Sequence, residues 1–289
     1  MSPELLTLTC ITFVAATING ALGYGFSSIT VPLALFFFTN RVLNPALVLL
    51  EVVLNANVMW VNREKLPFVR RRVTPMIVGL VPGVIVGTWL LTYVDPGWMK
   101  LWTYLVVLPL ILVQAGGFRR PIKAEGKANL VFGGGLGVLY SVTTISGPPL
   151  AVMLNNQGFV KQEFRAGLAL VRFAESSFTA VAYYFAGIYS MQSLMLIPYI
   201  LPGIVVGVPL GAFIIQRMPP ETFRRVCMSF DAWLVGFGTS SVLRDLRIVP
   251  GPSAYFVLVA VIAIDTYLLY TFFRKLRSAE RLAATVSPA

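Results

Sequence analysis

Histidine is absent from this 289-residue chain, and cysteine occurs only twice, at Cys10 and Cys227, each inside an apolar run. Without imidazoles or clustered thiols, the usual zinc, haem and iron–sulfur constellations are excluded, and no disulfide framework is implied. Neither a metal nor a cofactor is expected. Charge is also scarce: 12% of residues are Asp, Glu, Lys or Arg, against about 25% in an ordinary soluble domain. Residues 5–40 contain no such residue, and neither does the stretch between Lys127 and Lys161. Met1 to Leu5 carries Glu4 but no base, so the positive start of a cleavable secretory peptide is missing and the first apolar segment is expected to stay in the mature protein.

Apolar residues make up 57% of the chain, and the mean hydropathy is +0.78. So much apolar surface does not fit inside one soluble core, so the surrounding medium is expected to be lipid. Bases outnumber acids 23 to 12, a net charge of +11. They sit in short clusters between long uncharged runs, which argues for loops around membrane spans and against a nucleic-acid face.

Apolar runs long enough to cross a bilayer cover residues 5–38, 44–61, 73–93, 99–116, 129–156, 165–187, 193–216, 222–242 and 253–273. Two do not fit one crossing. As a single helix, 5–38 would be about 51 Å long against about 30 Å of hydrocarbon. It is interrupted by Asn19-Gly20-Ala21-Leu22-Gly23-Tyr24-Gly25-Phe26-Ser27-Ser28 and Pro32; 129–156 is interrupted by Gly133-Gly134-Gly135, Gly137 and Ser146-Gly147-Pro148-Pro149. Both are predicted to be half-helices that enter and turn back. With that topology, loops 62–72, 117–128, 157–165 and 217–225 and the C-terminus share one side and hold 18 bases. Arg41, Lys100, Arg244 and Arg247 lie opposite, and Arg172 stays inside a span. If 129–156 crossed instead, the bias would vanish. The positive-inside rule then places the C-terminus in the cytoplasm.

Leu80-Val81-Pro82-Gly83-Val84-Ile85-Val86-Gly87 matches Ile200-Leu201-Pro202-Gly203-Ile204-Val205-Val206-Gly207. Gly20-Ala21-Leu22-Gly23 likewise matches Gly134-Gly135-Leu136-Gly137, and Pro32-Leu33-Ala34 matches Pro149-Leu150-Ala151. The order is the same throughout, which predicts a duplication: 1–120 as a first transmembrane repeat and 121–245 as a second. Residues 246–289 add one further helix and a basic tail. An odd number of crossings per repeat makes the second inverted, as in many secondary transporters. The expected fold is all-α, polytopic and membrane-integral.

The ordered set Gly20-x-x-Gly23-x-Gly25-Phe26 to Val31-Pro32-Leu33, Gly137 through Ile145-Ser146-Gly147-Pro148-Pro149-Leu150, and Pro-Gly-x-x-x-Gly at 82–87 and 202–207 resembles the TauE/SafE sulfite exporter family, also called the toluene sulfonate uptake permease group. The resemblance spans nearly all the chain to about residue 243. It implies a multi-pass carrier of the bacterial cytoplasmic membrane that moves sulfite, sulfoacetate or related organosulfonates, usually outward. In this chain Ser141-Val142-Thr143-Thr144 is rich in hydroxyls where the family pattern has more glycine. Some relatives are associated with carboxylates, so small carboxylates remain an alternative cargo. An anion channel and a non-transporting accessory protein also stay open.

Half-helix N-termini offer free N–H groups and the positive end of a dipole to an anion. The substrate-binding candidates are Gly25, Ser27, Ser28 and Thr30 at the first break and Ser141, Thr143, Thr144, Ser146 and Gly147 at the second. Helix packing is the plain alternative for such small residues. Arg172 is the one base expected inside a span, and its fork of donors suits a sulfonate or carboxylate. Alternatively it pairs with Glu175, three residues on, or with Glu51, which the repeat offset brings to its symmetry position. Glu51, Glu175 and Asp231 are candidates for carrying a coupled proton. Asp265 lies outside both repeats and reads as packing or an oligomer contact. Trp60, Trp89, Trp98, Trp102, Tyr93 and Tyr104 read as interfacial anchors. No Ser–Lys or catalytic carboxylate pair falls in register, so an enzyme is not expected.

Overall fold

The computed structural model describes residues 3–286 except Tyr24, 116–124, Gly158, Val160, 215–216 and 218–219, and among these there is no strand. The helices in chain order are α1 (Pro3–Leu22), α2 (Phe26–Ala34), α3 (Asn40–Val61), α4 (Leu66–Tyr93), α5 (Pro96–Ala115), α6 (Glu125–Thr143), α7 (Gly147–Asn156), α8 (Lys161–Phe185), α9 (Met191–Leu194), α10 (Ile197–Ile214), α11 (Pro220–Asp245) and α12 (Phe256–Val286). Pro3–Ala21, Asn40–Val61, Arg63–Tyr93, Met191–Ile214 and Gly251–Arg274 are long and apolar enough to cross a membrane. α8 and α11 carry ionisable residues within their lengths, among them Arg172, Glu175 and Asp231, all buried inside the protein.

Both overlong apolar segments are broken where the sequence predicts. Gly23 ends α1 at φ 81°, its N–H returning to the Asn19 carbonyl, and Gly25 starts α2 at φ 106°. These left-handed angles are cheap for glycine. In the second segment Thr144 takes the left-handed position at φ 56°. A β-branched residue there is strained, and hydroxyls brace it: Thr143 Oγ1 accepts the Ile145 N–H at 3.0 Å, while Thr144 Oγ1 donates to the Thr143 carbonyl.

Each broken segment then returns to the end from which it came. Glu4 and Leu5 line one cavity of about 730 Å³ together with Phe37, Phe38, Thr39 and Pro198. In the second segment Gln157 donates to Asn129, near the start of α6, and Asn129 donates to the Arg72 carbonyl of α4. Arg41 donates to the Leu91, Thr92 and Val94 carbonyls where α4 ends, and Lys100 to the Leu35 carbonyl. Residues near 72, 129 and 157 therefore lie at one end of the bundle. Those near 4, 39, 94 and 198 lie at the other.

The repeated Pro-Gly-x-x-x-Gly strings make matching contacts. α4 lies along α6, and a Cβ on Gly83 would overlap the Gly134 carbonyl; α10 lies along α1, and a Cβ on Gly203 would come within 2.8 Å of the Phe13 nitrogen. Glycine here lets backbones touch, the usual solution where lipid gives no hydrophobic drive between helices. One apolar cluster joins Phe26, Ile29, Leu43, Leu47, Tyr104, Ile200 and Val235, and a second joins Val73, Met76, Leu80, Leu150, Leu154 and Val171. α3 supplies Leu43 and Leu47 to the first and α8 supplies Val171 to the second, while a third cluster joins Val48 of α3 to Tyr140 and Tyr183.

Candidate polar centre between the two chain breaks

α3 and α8 pack against each other, and the facing residues are polar. Asn40, Asn44, Glu51 and Asn55 on α3, and Arg172, Glu175, Ser176, Thr179 and Tyr183 on α8, are all buried. Their spacing of three, four or seven residues puts each set on one helical stripe. Glu51 is the hub. Its Oε1 accepts from Ser27 Oγ at 2.5 Å and from Arg172 Nη2 at 2.9 Å, and its Oε2 accepts from Tyr140 at 2.6 Å. The ion pair thus joins α3 to α8, the Ser27 bond draws in the first break, and the Tyr140 bond draws in α6.

The second break is held by the other glutamate. Ser146 Oγ donates to Glu175 Oε2 at 2.5 Å, while Oε1 of Glu175 has no partner. Arg172 Nε is likewise unpartnered. Asn55 donates to the Arg172 carbonyl and to Ser176. Towards the other end of the bundle, Ser141 pairs with Thr179 at 3.4 Å, Tyr183 donates to the Ser141 carbonyl, and Asn44 donates to the Val142 carbonyl at 2.7 Å. A polar seam therefore runs along α3 and α8 between the apolar clusters.

The remaining candidate residues divide between scaffold and free group. Ser28 donates to the Gly25 carbonyl and lies against Asp231 of α11, whose Oδ1 is unpartnered. Thr30 is fully buried with no partner for its hydroxyl. Ser141 and Thr143 donate back to the Gly137 and Leu139 carbonyls one turn earlier. Gly147 opens α7, but Pro148 and Pro149 follow it. Prolines have no N–H to offer, so the entrance to α7 presents few donors besides the Gly147 amide and the Ser146 hydroxyl. The entrance to α2 has non-proline residues at 26–28 and retains its amides.

Of the two partners the sequence offered Arg172, the structure pairs it with Glu51 across the helix interface and not with Glu175 on its own helix. Two expectations change. Arg225, counted with a loop, is buried in α11 and paired with Asp265 at 3.0 Å, so Arg172 is not the sole base inside the protein. Trp60, Trp89, Trp98, Trp102 and Tyr93 are exposed as anchors should be, but Tyr104 is buried and donates to the Pro32 carbonyl, holding α2. Tyr140 was not singled out. Its signal is position, because a tyrosine in the middle of an apolar segment is too far from either interface to be an anchor.

Buried polar groups inside a membrane protein, with donors and charges converging where two helices break, are costly and mark a functional site. Among the described residues no cluster of His, Cys, Asp or Glu fit for a metal ion occurs. A family model described as Sulfite exporter TauE/SafE matches residues 8–237. No curated protein and no solved structure matches the chain.

Proposed function

The chain belongs to the TauE/SafE sulfite exporter family, a family of membrane transporters, and on that premise we propose that it is a secondary transporter exporting a small anion, with sulfite or a sulfoacetate-like organosulfonate first in line. The observation that carries this reading is the meeting of both chain breaks at one buried centre, through Ser27 on Glu51–Arg172 and through Ser146 on Glu175. Arg172 keeps its Nε–H unused while its Nη2 is neutralised by Glu51. That N–H, with the Ser146 hydroxyl and the amides at the start of α2, is the proposed anion site.

A second cargo class is favoured by a specific feature of the same site. The donors at the breaks are already occupied by carboxylates, those of Glu51 and Glu175, so small carboxylates fit the same donor set. The matching glycine contacts of α4 with α6 and α10 with α1 support the duplication over 1–120 and 121–245. The second copy is proposed to be inverted, with 246–289 as the added helix and tail. The location proposed is the bacterial cytoplasmic membrane, with the C-terminus inside.

Purified protein in liposomes, supplied with labelled sulfite, sulfoacetate, sulfolactate or lactate, is expected to give saturable uptake of at least one of them, accelerated by the same anion on the far side. Arg172→Ala is expected to reduce that uptake at least 100-fold, an order-of-magnitude figure equal to about 2.7 kcal/mol, within the range for charge-assisted hydrogen bonds, and Arg172→Lys to keep a fraction. Ohmic conductance without counter-transport would instead make the protein a channel. Full uptake by Arg172→Ala would remove that residue from the site.

A further inference from the structure

Glu51 and Glu175 occupy similar depths and differ in what surrounds them. Glu51 receives a guanidinium N–H and two hydroxyls, a complete set of partners for an ionised carboxylate. Glu175 is fully buried, receives one hydroxyl, and leaves an oxygen with no partner. The groups facing it are Arg172 from its own helix, Glu51 from α3 and Tyr140 from α6. α7, which carries Ser146 at its mouth, has no ionisable residue.

An ionised carboxylate at Glu175 presents to Ser146 and Arg172 what a carboxylate or sulfonate substrate would present: a planar or pyramidal set of anionic oxygens that only accept. With α7 opening on two prolines, Ser146 Oγ is the main donor at that break, and Glu175 holds it. Substrate and side chain therefore compete for one donor. A second negative charge beside Glu175, with the single described cation nearby already paired to Glu51, would be strongly opposed at this burial. Protonation removes both obstacles. It cancels the charge, and it turns one carboxyl oxygen from an acceptor into an O–H donor facing the newcomer.

We propose, resting on the transporter reading above, that Glu175 binds one proton with each transported anion, releasing Ser146 so that the anion takes the place of its carboxylate. Proton and anion then travel in the same direction, and a monovalent anion moves without net charge. Binding is linked both ways: the anion raises the affinity for the proton as much as the proton raises the affinity for the anion. A membrane that is acidic outside would drive the anion inward by this coupling, so export proceeds down the cargo's own gradient.

The test uses the full-length protein in liposomes containing a pH-sensitive dye, with whichever of the four anions the unsubstituted protein moves; sulfonates are the better probes because their charge is fixed between pH 6 and 8. Uptake by the unsubstituted protein should acidify the interior in step with anion entry and respond to a pH gradient. Entry of monovalent lactate should ignore an imposed voltage, whereas sulfoacetate and sulfolactate, dianions moving with one proton, should carry one net negative charge and respond to it. Its binding affinity should weaken with rising pH, approaching tenfold per pH unit, the limit for one linked proton. Glu175→Gln keeps the shape and the neutral state, so it should exchange labelled for unlabelled anion at a rate that no longer depends on pH, with no acidification. Should this variant fail to exchange, binding by the purified variant decides: affinity equal at pH 6 and 8 supports the proposal. Affinity that still falls with pH, loss of binding at both values, or continued acidification during uptake would overturn it. If the unsubstituted protein moves none of the anions, it is the transporter reading that falls.

Discussion

At the scale of single residues, the hydroxyls of the second break have different jobs although the sequence presents them as one run. Thr144 sits at φ 56°, a conformation that costs a β-branched residue about 1–3 kcal/mol. Its hydroxyl bond to the preceding carbonyl and the extra unfolded-state entropy of glycine offset much of what Thr144→Gly would release. That change is expected to shift the melting temperature in detergent by only a few degrees and to leave the break intact. Thr143→Val is expected to be worse, because it strips the Ile145 N–H of its acceptor in a buried place, at about 1–3 kcal/mol; thermal unfolding of the two variants side by side checks the order. That polar residues gather at the breaks was legible from residue types and spacing. Which of them are spent on their own backbone was not, since Ser146 and Thr143 look alike in sequence and only the fold brings Glu175 to one and Ile145 N–H to the other. The Glu51 partner of Arg172 was reachable only through the repeat offset, which pairs positions 121 residues apart.

At the scale of helices, glycine count and glycine contact are separate matters. The run Gly133-Gly134-Gly135 announces an irregular or closely packed segment. Only the structure shows that Gly133 abuts Met76 while a Cβ on Gly135 would meet nothing within 4 Å. Gly135→Ala should therefore be accepted, with a gain of up to about 1 kcal/mol from helix propensity. Gly83→Ala should force α4 away from α6, because its Cβ would overlap the Gly134 carbonyl. Expression, monodispersity and melting temperature should fall for the second variant and hold for the first. Equal behaviour would mean that the α4–α6 contact does not depend on backbone touching backbone. The same reasoning explains what helix patterning hid: the period of apolar residues marks a buried face, but α3 and α8 bury a polar one. Their partners are supplied by helices far apart in sequence.

At the scale of the whole molecule, the distribution of bases and the fold can be compared directly. The two re-entrant segments, both predicted from their internal breaks and the second also from charge bias, bring their ends together, through Gln157–Asn129 in one and the cavity shared by Leu5 and Phe38 in the other. Placing Arg225 in its buried pair with Asp265 takes one base from the richer end, leaving 17 against four, and the bias stands. The same pair ties α12, which lies beyond the 8–237 family match, to α11. The proposed orientation rests on the positive-inside rule, because Lys and Arg near the ends of spans resist translocation. Met191 is exposed at the base-poor end, near the cavity that Gln192 and Glu4 share, and Glu64 is exposed at the base-rich end, beside Arg63 and Lys65. With Cys10 and Cys227 replaced by serine, a cysteine at Met191 should react with a membrane-impermeant maleimide added to intact spheroplasts. A cysteine at Glu64 should react only after permeabilisation. The reverse pattern would turn the protein over in the membrane, and labelling of both from outside would break the two-ended arrangement of bases on which the orientation depends.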